Sequence, residues 1–209
     1  GHYARIEEEN GRFLLKKAVD PTKDQSYVLY SMTQDELRHT LFPLGGMTKM
    51  HTRELARKLG FYNADKPDSQ DICFVPDGDY ASFIRAFTGR EYPRGEFVDK
   101  SGNVLGEHRG LIGYTVGQRK GLGIALGEPR YVTALLPDEN RVVLGSNEDL
   151  MSRELYAKNF NFIAFDTPPA EFRASARVRY RQAERPATVR VTGENTVHIT
   201  FDEPQRAIT

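Results

Sequence analysis

Two strand-like runs, Tyr3–Glu7 and Arg12–Lys17, open the chain and flank Glu9-Asn10-Gly11. Asn-Gly between such runs predicts a tight hairpin, because both residues tolerate the left-handed backbone that the turn requires. A polar loop, Asp20–Gln25, leads to the apolar patch Tyr27–Tyr30. Thr33-Gln34-Asp35-Glu36 has capping-box spacing and predicts a helix from there to about Thr40. A second helix is expected from about His51 to Leu59, with Leu55, Ala56 and Leu59 inward and Gly60 as its stop. A third follows Asp79, where Tyr80, Phe83, Ile84 and Phe87 keep i, i+3, i+4, i+7 spacing before Gly89.

The pattern changes after Tyr92-Pro93-Arg94-Gly95. Strand-like runs now dominate: Glu96–Asp99, Asn103–Leu105, Arg130–Leu136 and Arg141–Leu144, joined by turn-forming Lys100-Ser101-Gly102 and Pro137–Asn140. From about Met151 come Tyr156–Phe165, the Pro168-Pro169 breaker, then Phe172–Tyr180, Ala187–Thr192 and Thr196–Phe201. Short strands at this spacing predict a small barrel or sandwich. The whole reads as an α+β chain in three sections, 1–90, 91–150 and 151–209.

Composition narrows the class. With 39% hydrophobic and 28% charged residues, the 209-residue chain has the make-up of a folded globular protein. No apolar run approaches bilayer length, and no signal peptide is visible, so no membrane association is expected. One cysteine excludes an intrachain disulfide and a cysteine-built zinc site, and predicts a reducing, cytoplasmic setting. Lys plus Arg equals Asp plus Glu at 29 each, so only local clustering can speak of partners. The histidines, His2, His39, His51, His108 and His198, show no metal-ligand spacing. No Gly-x-Ser-x-Gly nucleophile elbow occurs. The start at Gly1-His2-Tyr3 and the end just after a strand-like run predict a piece of a longer polypeptide.

Four places carry candidate chemistry. Cys73 lies in Lys66–Phe74, a polar stretch opening into Ile72-Cys73-Phe74; it is either a reactive thiol or, as free cysteines often are, a small buried hydrophobe. In Phe172–Arg181, strict alternation puts Arg173, Ser175, Arg177, Arg179 and Arg181 on one strand face, about 6.5–7 Å apart. That row matches the phosphate spacing of an extended nucleic-acid strand, and the planar guanidinium suits phosphate. The other reading is a solvated outer face paired to carboxylates of a neighbouring strand. Gly113–Gly123 surrounds Gln118-Arg119-Lys120 with glycines, either a basic ligand loop or an ordinary turn; it lacks the P-loop order of residues. Lys23-Asp24-Gln25 is a charged triplet on a loop, where binding residues and plain polar surface both occur.

Taken in order, Gly1-His2-Tyr3-Ala4-Arg5, Lys23–Tyr27, Phe42-Pro43-Leu44-Gly45, Asp68–Phe74, Tyr114–Ile124, Val178–Arg181 and Glu203–Thr209 match one family. The chain resembles the tRNA-specific 2-thiouridylases (the MnmA or TrmU family) over essentially its whole length. The resemblance implies a chemistry in which ATP adenylates the C2 oxygen of the wobble uridine. A cysteine persulfide, loaded by a sulfur-relay donor protein, then delivers sulfur to C2, and a second cysteine helps to release it. On that pattern Cys73 corresponds to the persulfide carrier and Gly1 to a position near ATP. His2, Lys23, Asp24, Gln25, Arg179 and Tyr180 match tRNA-contacting positions, with Gln118, Arg119, Lys120, Arg177 and Arg181 as further phosphate candidates. The implied fold is the carboxy-terminal part of a nucleotide-binding α/β domain (1–90), a central β-rich domain (91–150) and an incomplete β-barrel (151–209).

The departures matter too. The family's Ser-Gly-Gly-Val-Asp-Ser pyrophosphate loop, its Asn-Pro-Asp motif and its second cysteine do not occur in this sequence. The chain alone is therefore expected to be inactive, with ATP held mainly by residues it lacks. Asp68, Asp71, Asp77 and Asp79 near Cys73 disfavour a thiolate, so positive charge from the Gly117–Gly123 loop, or from elsewhere in the enzyme, is expected to offset them. The competing reading is a non-catalytic tRNA-binding module. A methyltransferase reading finds no glycine-rich S-adenosylmethionine-type strand-loop-helix to support it.

Overall fold

The computed structural model describes residues 2–66, 75, 79–179 and 182–209. The opening hairpin pairs β1 (Ala4–Glu9) with β2 (Arg12–Lys17), Glu9 facing Arg12. Its turn takes φ 52° at Asn10 and 78° at Gly11, the left-handed pair that Asn-Gly was expected to supply. The capping box forms in full: the Thr33 hydroxyl accepts from the Glu36 N–H, and the Glu36 carboxylate accepts from the Thr33 N–H, starting α1 (Gln34–Arg38).

Helix α2 (Lys49–Lys58) begins at Thr48, and its N-terminus is tied through Asp20 to the loop that follows β2. Asp20 accepts from the Lys49 N–H at 3.0 Å and from the Thr22 hydroxyl at 2.6 Å, which together hold its carboxyl below the usual range. A depressed carboxyl stabilises the fold above its unfolded-state pKa, and that contribution is lost as pH falls through the folded value. Asp20→Asn should therefore flatten the acid side of a stability-versus-pH curve measured by urea unfolding. An unchanged acid limb would remove Asp20 from the acid response.

One expectation for α2 fails. Leu55 and Leu59 do not point inward: they are 39% and 61% exposed, and no residue of the helix is buried. The spacing was amphipathic, but among the described residues no strand or helix packs closely on that face. Helix α3 (Tyr80–Thr88) starts on Asp79, whose carboxylate accepts from the Ser82 N–H and hydroxyl, and stops at left-handed Gly89. Its Phe87 remains 81% exposed, stacked on Phe83.

The middle of the chain is a four-stranded sheet made of β3 (Gly95–Val98), β4 (Val104–His108), β5 (Tyr131–Leu136) and β6 (Arg141–Gly145). The order is β4-β3-β6-β5, with β3 and β6 parallel, a pairing that hairpin spacing did not reveal. Phe97, Tyr114, Leu122, Val132, Val142 and Leu144 form its core. His108 sits in this core at 1% exposure: the Gly110 N–H donates to Nδ1, so Nε2 carries the proton and donates to the Asn140 carbonyl at 3.0 Å.

The last section is a second four-stranded sheet, ordered β7-β10-β9-β8, from β7 (Met151–Lys158), β8 (Glu171–Ala176), β9 (Arg185–Gly193) and β10 (Thr196–Arg206). Ala187, Val189, Val197, Ile199 and Phe201 are its buried centre. Two expected strands are corrected. Tyr156–Phe165 is not one strand: β7 ends at Lys158, and Asn159 takes φ 54°, which breaks the extended run. Phe172–Tyr180 is cut short, since β8 ends at Ala176 opposite Arg185, where its partner β9 begins. Among the described residues the architecture is mixed α+β, three α-helices with several sheets, as expected. Among the described residues no helix is long and apolar enough to cross a membrane.

The 159–166 loop docks this sheet onto the opening hairpin. Arg12 donates from Nε to the Ile163 carbonyl at 2.7 Å and from Nη2 to the Phe162 carbonyl at 2.8 Å, and it pairs with Asp166. Asn161 donates to the carbonyls of Tyr30 and Met32, both at 2.9 Å. Charged and amide donors satisfying loop carbonyls make this junction geometrically specific.

Candidate nucleic-acid interface

The shortened β8 changes the meaning of the arginine row. Arg173, still on the strand, forks onto Asp202 through two bonds of 2.8 and 2.6 Å and also reaches the Thr188 hydroxyl. It is the carboxylate-paired outer face of a sheet. The five-membered row is therefore corrected: beyond Ala176 the chain leaves the sheet, and Arg177 and Arg179 each take up tertiary partners of their own.

Arg177 lies over the Tyr27 ring, 4.7 Å from its centre, and 3.9 Å from the Asp24 carboxylate. Both side chains are largely covered, at 20% exposure for Arg177 and 9% for Asp24. Asp24 is also a local hub: it accepts from the Ala18 N–H at 2.9 Å and from the Ser26 hydroxyl at 2.8 Å. Gln25 clamps the start of the chain, its Oε1 accepting from the Tyr3 N–H at 3.1 Å and its own N–H donating to the Tyr3 carbonyl at 2.8 Å. That clamp fixes exposed His2, next in sequence, beside the 23–25 loop, with its ring edge-on to Phe42. Lys23 belongs to the same loop, its N–H bonded to the Asp20 carbonyl.

Arg179 extends the contact to the central sheet. Its Nη2 donates to the Val116 carbonyl at 2.8 Å and to the Ala207 carbonyl at 3.1 Å. Val116 leads into the glycine loop, whose Gly117 N–H donates to the Val132 carbonyl at 2.7 Å. Gln118 closes the turn, accepting from the Thr115 N–H and donating to the Lys120 carbonyl, both at 3.0 Å. Arg119 and Lys120 stand exposed at its tip. Beside them runs an open cleft of about 470 Å³ lined by Arg119, the 121–126 segment and Glu128–Arg130.

His2, the 23–25 loop, Arg177, Arg179 and the 118–120 turn thus form one connected series of contacts, drawn from three stretches far apart in sequence. Cys73, Gly1, Tyr180 and Arg181 lie outside the described residues. Of the acids flanking Cys73, Asp79 is engaged in capping α3, and its carboxyl is held down by the Ser82 hydroxyl and N–H. Sequence reasoning gave no role to Arg206, which bonds the same glycine loop. It lies within Glu203–Thr209, one of the stretches that carry the resemblance, but an arginine at a strand end carries no signal of what it will reach.

Comparison with known proteins gives the class. Residues 1–77 match the "tRNA methyl transferase HUP domain", 81–146 the "tRNA methyl transferase PRC-barrel domain" and 152–209 the "Aminomethyltransferase beta-barrel domain". The chain is 50% identical along its entire length to the tRNA-specific 2-thiouridylase MnmA of Clostridioides difficile, covering 58% of that protein. It is equally close to the protein of that name from Carboxydothermus hydrogenoformans (50%, 58% covered), and 46% identical to that of Clostridium acetobutylicum (59% covered). The chain belongs to the tRNA-specific 2-thiouridylase family. It spans somewhat under three fifths of the length of these relatives.

Proposed function

We propose that this chain supplies the sulfur-carrying cysteine and a tRNA-gripping surface to an ATP-dependent 2-thiolation of the wobble uridine. The observation that carries this is half-identity along the whole chain to proteins named tRNA-specific 2-thiouridylases. The words "methyl transferase" in two domain descriptions weigh less, because they name domains and not the reaction of a near relative. The exposed ends of this series of contacts, His2 at one and Arg119 with Lys120 at the other, support RNA binding by this chain.

In the proposed chemistry the Cys73 persulfide, loaded by a sulfur-relay protein, attacks C2 of a uridine already adenylated at its C2 oxygen. A C2–S bond forms, and AMP leaves with that oxygen. A second thiol, which this sequence does not contain, then breaks the sulfur–sulfur bond and forms a disulfide with Cys73. ATP would be held mainly by residues outside this sequence, with Gly1 alone of this chain near it. The chain by itself is expected to bind tRNA without turnover.

Mass spectrometry after incubation with a persulfide donor and alkylation tests the assignment. One added sulfur atom is expected on Cys73 and none on the Cys73→Ser chain. When a complete thiolating enzyme carries Cys73→Ser, 2-thiouridine in tRNA should vanish. Thiolation undiminished by that substitution would end the proposal, and incorporation of a methyl group in place of sulfur would turn it to a different chemistry.

A further inference from the structure

We propose that the exposed turn Arg119-Lys120 is a phosphate-binding edge for the tRNA backbone, and that Arg206, together with Arg179, is a positioning residue holding that edge in place. This rests on the tRNA-binding reading above and goes further by naming a site and the groups that shape it.

The two arginines grip consecutive carbonyls at the root of the turn. Arg179 Nη2 donates to Val116 at 2.8 Å, and Arg206 Nη2 donates to Gly117 at 3.0 Å. Arg206 is itself fixed on two further sides. Its Nε donates to Asn147 Oδ1 at 3.0 Å, and its guanidinium lies 5.1 Å over the centre of the Tyr131 ring. Tyr131 precedes Val132, whose N–H donates to the Gln118 carbonyl at 2.9 Å, so the stacking platform and the turn are bonded to each other. The fit is close: Gly117 has φ +91°, and a Cβ there would stand 3.0 Å from the Ala207 Cβ and 3.4 Å from Arg206 Nη1. An arginine makes this clamp because its rigid planar fork carries donors on separate nitrogens while its face stacks on an aromatic ring; a lysine ammonium is a compact point charge with neither feature.

Charge points to the ligand. Arg173, Arg190, Arg141, Arg57 and Arg12 are each paired to a carboxylate. Arg119, Lys120, Arg179 and Arg206 are in no ion pair among the described residues, and the partners of the two clamping arginines are carbonyl and amide oxygens, all neutral. Around one turn stand four cations that are in no ion pair among the described residues, an arrangement that favours a polyanion. A phosphodiester backbone beside an exposed Arg-Lys pair is the chemistry that fits. Arg179 thereby acts mainly through the turn, with its bonded nitrogens facing protein carbonyls.

The test is a set of tRNA-binding titrations of the 209-residue chain across salt concentrations, using an unmodified transcript with a wobble uridine. Arg119→Ala/Lys120→Ala should weaken binding on the order of tenfold and lower the salt slope by about one per cation removed. Arg206→Ala should lower the slope similarly. Added to the double variant it should cost less than about twofold more, because residues acting through one another are non-additive. Arg206→Lys, which keeps the charge and loses the fork, should follow Arg206→Ala; it carries the test if the alanine variant melts at assay temperature. Additive losses, or an Arg206→Lys chain that binds as the parent does, overturn the positioning role. Unchanged binding by Arg119→Ala/Lys120→Ala overturns the site while leaving tRNA binding intact. Absence of salt-dependent binding by the parent chain would sink the broader reading along with this one.

Discussion

Gly45→Ala is expected to destabilise the chain by about 3 kcal/mol or more, whereas Gly46→Ala should stay within about 0.5 kcal/mol. The difference lies in what a methyl group would meet. At Gly45 a Cβ would fall 1.6 Å from the Ala4 carbonyl oxygen and 2.5 Å from its carbon, while at Gly46 nothing lies within 4 Å. The obstacle at Gly45 is backbone, which cannot rotate aside as a side chain can. Moving it would strain the bond from the Val19 N–H to the Gly45 carbonyl, 2.9 Å, and push the first residue of β1. Tyr3, clamped by Gln25, is next along the chain, so displacement here would also disturb the placing of His2. Urea unfolding of both variants checks this; a Gly45→Ala midpoint equal to that of Gly46→Ala would mean that the two segments do not pack so closely.

Asp24→Ala is expected to cost about 2–4 kcal/mol of stability. Removing the carboxylate leaves the N–H of buried Ala18 without its acceptor and strips the Ser26 hydroxyl of its partner. It also leaves the largely covered Arg177 with no carboxylate beside it among the described residues. Asp24→Asn keeps one acceptor oxygen in place and should lose about half as much. The resemblance to tRNA-contacting positions makes the opposite forecast, weaker tRNA binding at full stability. Denaturation midpoints measured beside tRNA affinities separate the two; a chain that unfolds as the parent does and binds tRNA poorly would make Asp24 a contact and not a structural hub.

The arginine row shows how the sequence misleads. From Phe172 to Arg181 the alternation is perfect, and a strand long enough to display it needs a partner of equal length. Strand β9 starts at Arg185, opposite Ala176, so the ladder ends there. Arg177 is then drawn to Tyr27 and Asp24, and Arg179 to Val116 and Ala207. These partners are up to about 150 residues away in sequence, and no local pattern encodes them. The same holds for Leu55 and Leu59, whose helical spacing is genuine but whose face receives no packing partner among the described residues.

Local chemistry was legible wherever a few adjacent residues settle the outcome. Asn10-Gly11 set the hairpin because those two residues adopt positive φ at low cost. Thr33 with Glu36, and Asp79 with Gly89, set helix ends because caps satisfy backbone groups within one turn. The family was also readable from motifs in linear order. Only the tertiary structure decided which cations face solvent and which hold the fold together. That outcome depends on where strands stop and which distant carbonyls and carboxylates arrive beside a guanidinium, quantities fixed by packing across the whole chain.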